Sequence, residues 1–129
     1  MTEKELFEKY PEAFKIIKEW YITKMIETSK DAPEEFIEAM KDRIDGMIFS
    51  VADKNPSFFF SFLDEHDVFV FTVPLDGNLF GYKIFTGTTV THDSPLMLIS
   101  DDNFPVRKCA EKAALIEAVK LLEEKHRID

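Results

Sequence analysis

At 129 residues and 45% apolar content, the chain holds enough material for one domain with a real core and too little to make two the default. Acidic residues outnumber basic ones by 25 to 16, and the resulting net charge of −9 repels polyanions, which argues against general binding of nucleic acid or anionic membranes. The single cysteine, Cys109, excludes an internal disulfide and any paired-cysteine zinc or redox motif.

The opening stretch MTEKELFEKY alternates charges where a signal peptide needs an apolar core, and no run approaches the ~20 apolar residues of a membrane span. We therefore expect a cytoplasmic protein. Thr2 and Glu5 stand in capping-box register before Leu6, Phe7 and Tyr10, which predicts a short first helix. Pro11 suits the first turn of a second helix, along which Phe14, Ile17, Tyr21 and Met25 recur at helical steps and Ala13, Ile16 and Trp20 widen the stripe. A stripe this wide should bury against more than one neighbour, or against a second subunit.

Asp31-Ala32-Pro33-Glu34 reads as another start, with Asp31 as cap, followed by Phe36, Met40, Ile44, Met47 and Val51 at helical period. That helix runs to Asp53, or breaks near Asp45-Gly46, where glycine costs roughly 1 kcal/mol against alanine. The segment KNPSFFFSFLDEHDVFVFTVP is read as helix, turn and strand packed as core. Asn55-Pro56 supplies cap and first turn, Phe59, Phe62, Leu63 and His66 share one helical face, and Val68 to Val73 is β-branched or aromatic throughout.

Pro74 to Asn78 contains Asp76-Gly77, the best hairpin turn in the chain, and Leu79 to Phe85 is the returning strand. A turn at Thr86-Gly87, a threonine-rich run through Thr91, a break at His92 to Pro95 and the run Leu96 to Ile99 extend an antiparallel sheet to three or four strands. Pro105 opens the last helix, with Val106, Cys109, Ala113 and Ile116 in one line and Leu115, Val119 and Leu122 in an adjoining one. Its alanines should bring the helix close to the sheet. The expected fold is thus a single α+β domain over 1–129, with a helical section over 1–54 and a helix-sheet-helix section over 55–129.

Motifs for chemistry are sparse. His66 and His92 each precede an aspartate, yet both read as turns, and His126 suits the negative end of the last helix. Arg107 and Lys108 would lower the Cys109 pKa near a helix start, but its shared face with Ala113 and Ile116 reads as a small buried residue. Asp64, Glu65 and Asp67 lack the alternating ligands and central glycine of a calcium loop, and four glycines make no phosphate loop, dinucleotide fingerprint or serine elbow. We assign no catalytic, cofactor-binding or metal residue.

The helix-strands-helix order ending in FPVRKCAEKAALIEAVKLLEE resembles a double-stranded-RNA-binding domain in topology, with Arg107, Lys108 and Lys112 in comparable places. The connection PLDGN lacks the histidine such a domain inserts into the minor groove. Charge runs the wrong way too: residues 55–103 carry seven acids against one base, Lys83, for −6, while 104–129 reach only +1. The last seventy-five or so residues also resemble small proteins of gut bacteria and their phages, through the Phe-rich short helix, the hairpin and the start Arg107-Lys108-Cys109-Ala110-Glu111-Lys112-Ala113-Ala114. That family has no assigned activity, so the resemblance implies an accessory or mobile-element protein and lends no site residues.

The function expected is a non-enzymatic binding or protein-interaction module that self-associates through its N-terminal stripe, with Trp20, Tyr21 and Met25 at the interface. One alternative is an acidic nucleic-acid mimic that binds a basic protein. Another is an enzyme with an unrecognised site joining His66 or His92 to carboxylates.

Overall fold

The computed structural model describes residues 2–86, 97–99 and 103–128. Its first helix starts where the cap predicts: the Glu5 N–H donates to the Thr2 hydroxyl at 3.2 Å, and α1 spans Glu3–Lys9. Helix α2 (Pro11–Thr28) begins with proline in its first turn and buries Ala13, Ile17 and Met25. Phe14, Ile16, Trp20 and Tyr21 pack against the core half-buried, so the broad stripe is used mainly within the chain.

Helices α3 (Glu34–Lys41) and α4 (Ile44–Lys54) are separated at Asp42-Arg43, ahead of the Asp45-Gly46 break considered from sequence. Gly46 sits inside α4, where an added Cβ would meet nothing within 4 Å, so it forces no break. Pro33, rather than Asp31, occupies the cap of α3, because the proline fixes the backbone immediately before the helix and leaves Asp31 too far upstream. Helix α4 buries Ile44, Ile48 and Ala52, whereas α3 buries nothing fully.

The phenylalanine-rich segment folds as helix, turn and strand. A 3-10 turn over Pro56–Phe59 runs into α5 (Phe60–Glu65), and strand β1 (Val68–Leu75) follows. Phe59, Phe62 and Leu63 are wholly buried, and each large side chain so removed from water contributes up to about 1.5–3 kcal/mol. Strand β2 (Leu79–Thr86) returns antiparallel, from Leu75↔Leu79 to Val68↔Thr86. The connection holds two left-handed residues in succession, Gly77 at φ 77° and Asn78 at φ 61°, the residue types that tolerate this region.

The sheet is dominated by this hairpin. Of the three or four strands expected, two are full strands. The segment Met97–Ile99 (β3) adds a three-residue ladder beside Lys83, Ile84 and Phe85, and Phe104 bridges to Phe80. The expected turn after Thr86, the threonine-rich run and the break at His92 to Pro95 lie outside the described residues.

Helix α6 (Arg107–Ile128) packs on the hairpin and also against α2, which makes it the central element. Its buried side is Ala110, Ala114, Ala118, Leu115, Val119 and Leu122. The line expected through Val106, Cys109, Ala113 and Ile116 is therefore displaced by one residue, a rotation of about 100°. Cys109 and Val106 are exposed, and the expectation of a buried Cys109 is corrected. The alanines win the inner position because only small side chains fit where the helix axis comes closest to its neighbours.

Candidate functional site

Trp20, Tyr21 and Met25 are partly engaged by the chain itself. Met25 is buried; the Trp20 ring lies 5.3 Å from Phe62 and 5.6 Å from Phe58, and Tyr21 lies 6.0 Å from Phe58. These aromatic contacts fill space that a pocket would need, with Phe59 and Phe62 sealed beneath them. The indole Nε1 of Trp20 is buried without a hydrogen-bond partner among the described residues.

The basic residues of early α6 are tied to the protein. The Lys112 ammonium pairs with Asp53 and stands 4.0 Å from Glu3, joining α6 to α4 and α1. Its hydrogen bond to Asp53 holds the carboxyl below, and the ammonium above, their ordinary ranges. The Arg107 Nε donates to the Thr72 hydroxyl at 3.2 Å and lies 3.7 Å from Glu111.

His66 closes α5 and packs its ring 4.7 Å from Phe62 and 5.9 Å from His126. Burial lowers its pKa, His126 and Lys125 add to that effect, and Glu65 and Asp67 oppose it. Lys125 secures the turn from above, donating to the His66 carbonyl at 2.9 Å and pairing with Asp67 at 3.6 Å. Slight desolvation of the largely exposed Asp64 raises its pKa. His92 lies outside the described residues, and among the described residues no three His, Cys, Asp or Glu side chains are placed to hold a metal ion.

Two features escaped the sequence reading. Glu123 is 1% exposed and its carboxylate accepts the Ala13 N–H at 2.6 Å, so α6 caps the start of α2. Its signal was present: Glu123 follows Val119 by four residues and Leu115 by eight, in the core register. The second is the face of α3. Phe36 is 52% exposed beside a shallow apolar groove of about 420 Å³ formed with Ala39, Met40, Arg43 and Met47. Acidic Glu34 and Glu35 lie in the first turn of this helix, and Lys41 in its last turn pairs with Glu38 at 3.4 Å.

No protein-family model matches the chain, and neither the curated proteins nor the solved structures give a significant match. No helix among the described residues is long and apolar enough to cross a membrane.

Proposed function

We propose that this is a non-enzymatic interaction protein that pairs with a second copy of itself through the N-terminal helical section, with α3 as the contact helix. The observation that carries this reading is the exposed Phe36, which with Met40 and Met47 lines one shallow apolar groove. A self-complementary apolar patch of this kind suits a two-fold contact, in which each copy covers the other's groove. Methionine and phenylalanine are the side chains that interface centres favour.

Relative to the sequence expectation, the contact moves from Trp20, Tyr21 and Met25 to Phe36, Met40 and Met47. Sedimentation equilibrium tests both assignments. The protein is expected to dimerise, more strongly at high salt because screening relieves the repulsion between two chains of charge −9. Phe36→Asp is expected to give a folded monomer, since α3 holds no buried residue. A wild-type protein that remains monomeric at its highest soluble concentration overturns the reading, as does a Phe36→Asp variant that still dimerises.

A further inference from the structure

Strand β1 has β2 along one side and, among the described residues, no strand along the other. Three consecutive residues of β1, Val70, Phe71 and Thr72, border one trough of about 440 Å³ together with Phe60, Arg107 and Glu111. Successive strand residues point to opposite faces, so a trough that touches three in a row follows the strand's edge. Val70 is buried on the inner face, while Phe71 is 52% exposed on the outer one and rests 5.8 Å from Phe85.

Beside this edge sits the largely exposed guanidinium of Arg107. The bond from Arg107 Nε to the Thr72 hydroxyl anchors its inner nitrogen, and the two terminal nitrogens make no hydrogen bond among the described residues. Anchoring one nitrogen while leaving the outer pair exposed presents the fork that matches a carboxylate. The opposite end of β1 carries Pro74, which has no N–H to offer and limits the usable edge to a few residues.

We propose that this trough is a docking site for a short extended peptide segment carrying an internal Asp or Glu. The segment adds to β1 by main-chain pairing at Val70 to Thr72, places its carboxylate on the outer nitrogens of Arg107 and sets a β-branched or aromatic side chain against Phe60 and Phe71. An extended chain has donors and acceptors at the repeat a strand edge demands, and a carboxylate suits the outer nitrogens of the fork, Glu111 standing 3.7 Å from Nε on the inner side. Such a partner is distinct from the second copy that α3 receives.

The test pans a display library of random decapeptides, fused at both ends so that no terminal carboxylate is available, against the full-length protein. Selected peptides, synthesised as C-terminal amides, are then measured by fluorescence anisotropy and by amide NMR shifts. The expected peptides carry an acidic residue flanked by β-branched or aromatic ones, shift the Val70–Thr72 amides, and lose binding when their alternate backbone nitrogens are methylated. Arg107→Gln, at a largely exposed side chain, is expected to weaken them about tenfold or more. Thr72→Val, which keeps the strand and releases the guanidinium, is expected to weaken them severalfold. Failure to enrich any peptide, equal binding to Arg107→Gln with its circular dichroism unchanged, or shifts that fall on α3 rather than β1 would each overturn the proposal.

Discussion

The Glu123 carboxylate accepts the main-chain N–H of Ala13 at 2.6 Å, across 110 positions of sequence. Ala13 lies in the first turn of α2, whose N-cap residue Tyr10 supplies no side-chain cap. The start of one helix is thus satisfied by the last third of another, and charge and helix dipole reinforce the bond.

Removing that carboxylate strands a buried donor. Glu123→Ala is expected to lower unfolding free energy by about 2–3 kcal/mol in urea denaturation, with Glu123→Gln losing less because its amide oxygen still accepts. Equal stability of Glu123→Ala and wild type would refute the cap.

The inner line of α6 is equally testable. Ala114 is wholly buried between the helix and its neighbours, so Ala114→Leu overpacks and should cost about 1–3 kcal/mol, whereas Cys109→Ala at the exposed neighbouring position should stay within about 0.5 kcal/mol. The reverse order would restore the rotated helix face. Chemical denaturation of the two variants side by side is sufficient.

Acid should weaken the joint between α5 and the end of α6. The folded-state pKa of His66 lies below the ordinary 6.5, chiefly because the ring is partly withdrawn from water, and the unfolded chain therefore binds the proton more readily. Stability is complete above the unfolded value and falls as pH drops from 6.5 toward the folded value. Lys125 and His126 on α6 push in that direction, while Glu65 and Asp67 restrain it. Urea midpoints measured from pH 7.5 to pH 5 should decline, and His66→Asn should flatten the decline; an unchanged slope rejects the assignment. Asp53, whose pKa is lowered by Lys112, withdraws its contribution only below the ordinary 3.8, outside this window.

The hairpin turn gives a fourth expectation. Gly77 at φ 77° has open space around its missing Cβ, so Gly77→Ala suffers from backbone conformation alone, about 1–2 kcal/mol, while Asn78→Gly is neutral or stabilising. Thermal unfolding of the two variants distinguishes them, and a neutral Gly77→Ala would mean the left-handed turn is absent.

Much of this was legible because burial writes itself into periodicity. Phe59, Phe62 and Leu63 recur at helical steps and Val68 to Val73 at strand composition, and both segments fold accordingly. On α6 the line through Leu115, Val119 and Leu122 is buried as read, but the line beside it was set one residue off, since Val106 and Cys109 are more apolar than Ala110 and Ala114 and hydropathy alone cannot tell that the tightest contact wants the smallest side chain. The exposure of Phe36 was illegible for another reason. An amphipathic pattern looks the same whether its apolar side meets its own chain or a second molecule. Likewise the trough beside β1 brings together Phe60, Thr72 and Arg107, which only tertiary packing makes neighbours.

Helix α3, bounded by the Pro33 start and the Asp42-Arg43 break, gives no fully buried residue to the interior. Its outward positions are therefore released from the constraint that fixes Ala114 or Phe62, and they can be rewritten by mutation with little penalty to folding.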